Sequence, residues 1–248
     1  MKNPRVILWF VFFTVVFSFA GYFIPLPAEL RSLLVPVILV LVPTIVCLTL
    51  VVITEGWQGI RRLFFNANSG AKWLLIGVSV GIGLRIAVFI VGIITGAPIK
   101  ADFSVLGTWF VIIATIPLAF FEELGWRRFA LERMLKYRSP FEATLLLGLP
   151  WGVIHLVIIL PGMMNAGAPV ISQTIQLLSL GFFLTWAYTR SRGSVLTTTL
   201  LHGSQNAFVV LNRGLSMSES TWLSMWVYLI LAILLVLVDR RMFFAKPD

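Results

Sequence analysis

The chain has 248 residues, of which 59% are hydrophobic and 12% are charged, with a formal net charge of +9. Soluble globular domains carry about 25% charged residues, so this composition excludes a soluble protein and predicts an all-α, polytopic integral membrane protein. The basic residues separate apolar segments instead of forming a stripe, so the charge predicts membrane orientation and no nucleic-acid partner. A single cysteine, Cys47, excludes an intrachain disulfide.

Eight apolar segments are long enough to span a bilayer, which takes about 20 mostly apolar residues. The predicted spans are Val6–Ile24, Leu33–Ile53, Trp73–Thr95, Val105–Glu123, Ala143–Leu160, Ile171–Thr189, Val195–Leu211 and Trp222–Val238. No internal repeat or long linker divides the chain, so we predict one structural domain. Within it, residues 1–104 hold the first three spans, residues 105–212 the next four, and residues 213–248 the last span and a tail.

The basic residues predict the topology. With the N-terminus in the cytoplasm, fifteen of the 19 lysines and arginines fall in cytoplasmic segments, whereas Arg31, Lys100 and Arg213 fall outside and Arg85 lies within a span. This asymmetry predicts that both termini face the cytoplasm, in the cell's inner or plasma membrane. Two cytoplasmic loops, "EGWQGIRRLFFNANSGAK" and "LERMLKYR", mix apolar and basic residues as interfacial anchors do.

The fourth span ends in "FFEELGWRR", where Glu122 and Glu123 follow an uncharged stretch. Helix neighbours point about 100° apart, so the two carboxylates cannot serve one face equally. Glu123 has Arg127 four residues on, the favourable spacing for an ion pair. Glu122 has no partner in its own helix, and a carboxylate in low dielectric without a nearby cation suits a general base. We interpret Glu123 as positioning Arg127 and Glu122 as available for chemistry; the alternative is a helix-end charge pair at the interface.

The fifth span contains "PWGVIH", in which Trp151 and His155 share a helix face. Pro150 removes a backbone donor beside them and is expected to kink the helix. In membranes such breaks occur where protein or a water-filled cavity satisfies the freed carbonyl. Taken alone, His155 is either a structural histidine or a catalytic one.

The seventh span contains "LLHGSQN", in which His202 and Asn206 are four residues apart and project toward one point. Each can donate a hydrogen bond, so together they can hold a developing oxyanion. The alternative is interhelical hydrogen bonding that holds the spans together. His155 and His202 are the only histidines in the chain, and both fall inside apolar helices, which indicates a site.

The depths of these residues predict that they meet. At 1.5 Å per residue, Glu122, His155 and His202 lie about 8, 20 and 12 Å from the cytoplasmic ends of their helices, so we expect a shared cavity that opens to the cytoplasm. A carboxylate base, a histidine and two donors suit hydrolysis. No serine or cysteine nucleophile stands out, and H-E-x-x-H is absent. Glu122, His155 and His202 also make a possible three-ligand zinc site, so a metal stays open.

Three motifs carry a family resemblance: Glu122-Glu123-x-x-x-Arg127, Trp151-x-x-x-His155 and His202-x-x-x-Asn206, in that order on three membrane helices. They resemble the motifs of the CPBP family of CAAX proteases and bacteriocin-processing enzymes, also called the Abi family. The resemblance covers roughly residues 105–212 and implies that these residues form a catalytic core.

The resemblance implies an all-helical intramembrane endopeptidase. Its substrates would be membrane-associated peptides or proteins, with or without a lipid, cleaved near the C-terminus or within a leader peptide. It implies that Glu122 and His155 activate water and that His202 and Asn206 contact the oxyanion. The candidate catalytic set is therefore these four residues and Glu123, with Arg127 and Trp151 in support. Both a zinc-dependent and a metal-free glutamate mechanism are argued for the family, so the resemblance leaves the metal open.

One residue departs from the family, and two other functions stay open. The second motif usually begins with phenylalanine, where this chain has Trp151, a difference that bears on pocket shape. A non-catalytic scaffold or immunity protein of the same family is one alternative. The other is a proton-coupled transporter in which Glu122, His155 and His202 form a relay. Transporters usually show inverted repeats, and no second copy of the fourth-to-seventh-span pattern is found.

Arg85 lies near the middle of the third span, about 18 Å from Trp73 and too deep for its guanidinium to reach the interface easily. Gly77, Gly81 and Arg85 recur every four residues, and small residues at that spacing mark a close helix contact. We favour an interpretation in which helix-end carbonyls accept the guanidinium. The alternative is that Arg85 binds the free carboxylate of a substrate cleaved near its C-terminus, because its fork matches that group.

Overall fold

The computed structural model describes residues 5–65, 70–163 and 165–247. These residues are mostly helical and contain no β-strand, apart from an isolated bridge between Lys100 and Arg213. The α-helices are α1 (Arg5–Tyr22), α2 (Ala28–Phe65), α3 (Ala71–Ile94), α4 (Val105–Glu123), α5 (Glu132–Met134), α6 (Pro140–Ile154), α7 (Val170–Arg190), α8 (Val195–Ala207), α9 (Met217–Val238) and α10 (Arg240–Phe243). A π-helix, Leu124–Leu131, continues α4, and 3₁₀ segments, His155–Ile159 and Phe208–Asn212, continue α6 and α8.

Six helices among the described residues are long and apolar enough to cross a membrane. They are Arg5–Tyr22, Glu29–Phe64, Ala71–Ile94, Pro140–Ile159, Val170–Arg190 and Met217–Val238. The predicted fold class, an all-α polytopic membrane protein, is therefore confirmed. The fourth predicted span coincides with α4, but residues 105–113 lie outside the described side chains, so the six do not include it.

The seventh predicted span, Val195–Leu211, is formed by α8 and the 3₁₀ segment that continues it. The α-helix itself has 13 residues, about 20 Å in length. Most of its side chains are buried, and it packs mainly against α3 and α4. Its apolar character therefore reflects burial within the bundle, which composition alone does not distinguish from contact with lipid.

Two glycines allow α3 to approach α8 closely. A Cβ atom on Gly77 would lie 2.6 Å from the carbonyl oxygen of Thr197, and one on Gly81 would overlap the carbonyl oxygen of Leu201. Because these neighbours are backbone atoms, they cannot move aside as a flexible side chain would. The predicted small-residue contact in the third span is therefore present, and it fixes the position of α8.

The substitution Gly77→Ala is expected to lower the free energy of unfolding by about 1–3 kcal/mol, because the new methyl group overpacks this contact. Gly83→Ala is the matched control, since a Cβ atom there meets nothing within 4 Å. The control should be neutral or slightly stabilising, because alanine is the better helix former. Thermal unfolding in detergent measures both, and equal melting temperatures for the two variants would contradict the packing described.

The end of α4 is fixed by its contact with α2. Gly125, the second residue of the π-helix, lies against Pro43, whose carbonyl oxygen would be 2.7 Å from a Cβ atom on that glycine. The Thr44 hydroxyl donates a hydrogen bond to the carbonyl of Phe121. Single π-turns often occur at functional sites, and here the π-helix begins directly after Glu123.

The segment that follows the second span continues α2 after a break at Gly56, where φ is +61°. The side chain of Arg128 donates hydrogen bonds to the carbonyls of Leu63 and Arg62, 3.1 and 2.7 Å away. It also pairs with Glu132 at 2.6 Å. A buried arginine therefore holds the end of this segment on the π-helix. Residues 66–69 of the predicted interfacial anchor lie outside the described residues.

Candidate active site

Glu122 and Glu123 end α4, and their side chains are 3% and 0% exposed, respectively. Although they point in different directions, both approach the ring of His202, which α8 brings alongside. Glu123 Oε1 lies 3.0 Å from His202 Nδ1, and Glu122 Oε2 lies 4.0 Å from His202 Nε2. The two carboxylates therefore lie at opposite nitrogens of one imidazole.

The predicted ion pair between Glu123 and Arg127 is present, with 3.4 Å between Glu123 Oε2 and Arg127 Nε. Glu123 also contacts His202, which the sequence did not predict, because that contact depends on how α8 docks against α4. An ionised carboxylate only accepts hydrogen bonds, so His202 donates from Nδ1 to Glu123. This bond sets the ring orientation and aims Nε2 at Glu122.

His155 begins the 3₁₀ segment at the end of α6. Its Nδ1 lies 2.8 Å from the carbonyl oxygen of Trp151, which can only accept, so Nδ1 carries the hydrogen. The neutral ring then has a lone pair on Nε2, 3.7 Å from Glu122 Oε1. Glu122 and His155 thus present two acceptors to each other. A water molecule that donates to both would satisfy them.

Trp151 contacts Glu122, Arg127 and both histidines of the site. Its indole N–H donates to Glu122 Oε1 at 2.5 Å. The guanidinium carbon of Arg127 lies 4.7 Å from the centre of its ring. The rings of His155 and His202 meet it edge to face, with centres 5.3 and 5.8 Å away. The sequence predicted a supporting aromatic residue but missed the hydrogen bond. The signal for it was tryptophan, which has an N–H donor, in the place usual for phenylalanine.

The structure brings Glu122, Glu123, His155 and His202 together, and we call these four residues the Glu122 cluster. Asn206 is half-buried and lies one turn beyond His202 on α8, and its side chain forms no hydrogen bond to the described residues. A small cavity is lined partly by Arg127 and Trp151, which contact the cluster, but none of the four cluster residues nor Asn206 lines it. The cluster residues contact one another directly, and the shared cavity that opens to the cytoplasm stays a prediction.

Arg85 does not touch the Glu122 cluster in the described contacts. It is 7% exposed, and its Nε donates to the carbonyl of Gln205 at 2.7 Å, within the last turn of α8. This hydrogen bond agrees with the favoured interpretation, in which a helix-end carbonyl accepts the guanidinium.

Glu122, His155 and His202, the three residues that the sequence offers as zinc ligands, do not form a zinc site in this arrangement. Ligands of a tetrahedral zinc, with bonds of about 2.0–2.1 Å, lie about 3.3 Å apart, whereas Glu122 lies 3.7 and 4.0 Å from the two Nε2 atoms. Glu122 Oε1 is also occupied by the Trp151 indole. Within the described residues, no group of three or more His, Cys, Asp or Glu side chains is arranged to hold a metal ion.

Comparison with known proteins identifies the part of the chain that carries these residues. Residues 104–208 match the family model described as type II CAAX prenyl endopeptidase Rce1-like. These residues are therefore similar to the Rce1-like family, and we call them the Rce1-like region. A CAAX prenyl protease 2 of Methanococcus maripaludis is 27% identical over 146 residues, which cover 55% of this chain and 52% of that protein. The chain thus spans about half the length of this curated relative, and the resemblance to the CPBP family is confirmed.

The Rce1-like region contains the whole Glu122 cluster, Arg127, Trp151 and Asn206, whereas Arg85 lies before it. Its boundaries run from just before α4 to just after α8. The helices outside it also contribute, because α2 holds the end of α4 and α3 packs on α8. The Rce1-like region therefore depends on the rest of the bundle for its geometry.

Replacement of Trp151 by phenylalanine is expected to lower kcat about tenfold, with little change in KM, for the peptide hydrolysis that we propose for this chain. The variant keeps the aromatic ring but removes the donor to Glu122, and a hydrogen bond to a charged group contributes about 1.5–3 kcal/mol. Trp126→Phe is a matched control, because Trp126 is equally buried and its indole N–H has no partner among the described residues. Steady-state kinetics of both variants test the assignment, which fails if the two lose activity to the same extent.

Proposed function

We propose that the chain is an intramembrane endopeptidase that hydrolyses a peptide bond of a membrane-associated, CAAX-type substrate with water activated by Glu122 and His155. The observation that carries this proposal is the approach of both histidine Nε2 atoms to the buried Glu122 carboxylate, at 3.7 and 4.0 Å. The second nitrogen of each ring is held by a separate acceptor. Such fixed orientation favours proton transfer over a merely structural contact.

The nucleophile in this mechanism is water. Glu122 accepts one proton from the water, and the lone pair on His155 Nε2 accepts a hydrogen bond from the other. Attack forms a C–O bond at the scissile carbonyl carbon, and the carbonyl electron pair moves onto oxygen. A positioned base of this kind accelerates a reaction by roughly 10²–10⁴-fold.

The oxyanion is stabilised by donors from α8. His202 donates from Nε2 as an imidazolium whose charge Glu123 balances, and Asn206 donates from its amide one turn further along. Donors that are fixed before the reaction need no reorganisation when charge develops. Such electrostatic stabilisation of the oxyanion is usually a large share of the rate acceleration. Arg127, which pairs with Glu123 and lies over the Trp151 ring, keeps these groups in place.

Collapse of the tetrahedral intermediate completes the reaction. The carbonyl reforms, the C–N bond breaks, and the proton held by Glu122 passes to the leaving amine. One water is consumed, one carboxyl and one amine are produced, and Glu122 returns to its starting state. No covalent enzyme intermediate is formed.

A peptide-cleavage assay tests the proposal. Purified protein in detergent is incubated with a peptide that carries a farnesylated cysteine and three further residues, and the products are identified by mass spectrometry. We expect release of the last three residues. Parallel reactions use the same peptide without the lipid and a leader-type peptide with an internal cleavage site. Absence of cleavage of all three peptides would overturn the proposal.

The same assay tests the zinc alternative. Metal content is measured on the purified protein, and activity is compared with and without a chelator. The mechanism above predicts full activity after chelation. Loss of activity that zinc restores would replace the water-activation step with a metal-dependent one.

A further inference from the structure

Arg85 is a buried cation that has no carboxylate partner among the described residues. It is 7% exposed, and no carboxylate of the described residues lies within ion-pair distance of it. Its one hydrogen bond to the described residues runs from Nε to the carbonyl of Gln205. The two Nη groups, which form the open end of the guanidinium fork, have no hydrogen-bond partner among those residues.

Arg128 shows what a purely structural arginine looks like in this bundle. It is as buried as Arg85, at 6% exposure, but it donates to two backbone carbonyls and pairs with Glu132. A buried charge is costly unless it is paired and hydrogen-bonded. The contact of Arg85 with the Gln205 carbonyl therefore accounts for one of its five N–H donors and supplies no carboxylate from the described residues.

The position of Arg85 relates it to the Glu122 cluster. Its acceptor, Gln205, lies three residues beyond His202, about 4.5 Å along α8, and directly precedes Asn206. An extended peptide spans about 3.3–3.6 Å per residue, so three residues reach about 10 Å. A segment of that length, running along α8 from a scissile carbonyl at His202 and Asn206, reaches the vicinity of Arg85.

We propose that Arg85 binds the free C-terminal carboxylate of the substrate, through the two Nη groups that Gln205 leaves unused. Arg matches a carboxylate with two parallel N–H···O bonds, which gives both charge and geometry. The inference rests on the proposed function and deepens it. By binding the C-terminus, Arg85 would fix the number of residues between the chain end and the cleaved bond. The enzyme would then cleave near the C-terminus of its substrate in preference to internal bonds.

Peptide binding to the catalytically inactive Glu122→Gln protein tests this without cleavage. The probe is the farnesylated peptide, fluorescently labelled at its N-terminus, with either a free carboxylate or an amide at its C-terminus. Anisotropy in detergent should give a Kd about tenfold lower for the carboxylate, as expected for hydrogen bonds between charged groups. Adding Arg85→Gln should bring the two Kd values together. Lys100→Gln removes the same charge from an exposed position and should leave the tenfold ratio unchanged.

The variant Arg85→Lys distinguishes a loss of carboxylate binding from a folding defect. Lysine keeps the charge and can still donate to Gln205, but it lacks the fork, so melting temperature should stay near that of the parent while the ratio falls. Equal binding of carboxylate and amide by the Glu122→Gln protein would overturn the inference, as would a tenfold ratio that survives Arg85→Gln.

Cleavage by the enzyme with Glu122 intact separates the two proposals. Cleavage of both peptides at the same rate, unaffected by Arg85→Lys, would leave the peptidase proposal standing and refute the role of Arg85. Cleavage of neither peptide, together with no cleavage of the unlipidated and leader-type peptides, would refute the peptidase proposal, while the binding ratio still decides what Arg85 does.

Discussion

Glu122→Gln is expected to lower kcat about a thousandfold, within the roughly 10²–10⁴-fold contribution of a positioned general base. Glutamine keeps the size of the side chain and an oxygen that accepts from the Trp151 indole, but it cannot take a proton from water. The melting temperature should therefore change little. Single-turnover cleavage of the farnesylated peptide measures the loss.

Glu29→Gln is the control for this experiment, because it makes the same chemical change at an exposed glutamate at the start of α2. It should cleave at the parent rate. A Glu122→Gln protein that retains full activity would show that another group activates water. A loss of activity accompanied by unfolding would instead assign Glu122 to the framework.

Glu123→Gln is expected to lower the free energy of unfolding by about 3 kcal/mol, the low end of the cost of removing one partner from a buried ion pair. Glu123 is fully buried, and its two oxygens face Arg127 Nε and His202 Nδ1, 3.4 and 3.0 Å away. The neutral amide leaves the Arg127 charge uncompensated. Thermal unfolding in detergent measures the effect, which should exceed that of Glu122→Gln.

A second substitution separates the ion pair from side-chain packing. Most of the expected cost is that of an unpaired buried charge, so Glu123→Gln combined with Arg127→Met should be more stable than Glu123→Gln alone. Contacting residues are expected to be non-additive in this way. If the double variant is instead less stable by the sum of the two single effects, the pair contributes through packing and not through charge.

Local patterns in the sequence predicted the parts of the site that lie within one helix. The Glu123–Arg127 pair follows from a four-residue spacing, and it persists although the backbone changes to a π-helix at Leu124. The meeting of Glu122, His155 and His202 followed from their depths, which depend only on helix rise. The identities of both histidines were informative because polar residues are rare in apolar helices.

Contacts between residues of different helices could not be predicted from patterns within one helix. The bond between His202 and Glu123 depends on the docking of α8, and the π-helix depends on the packing of Gly125 against Pro43. The burial of α8 on most of its sides was not predicted, because a buried helix and a membrane span have the same composition. The Trp151 bond to Glu122 was missed because an aromatic side chain on a helix face is more often a packing residue than a donor.

One measurement addresses the central claim directly, that Glu122 activates water and is not itself the nucleophile. Enzyme in excess over the farnesylated peptide completes a single turnover in ¹⁸O-labelled water, and mass spectrometry examines the new C-terminal carboxyl group and the enzyme fragment that contains Glu122. Direct attack by water predicts one ¹⁸O in the new carboxyl group and an unlabelled Glu122. Label in the Glu122 side chain, with an unlabelled product, would demonstrate a covalent acyl intermediate and contradict the mechanism.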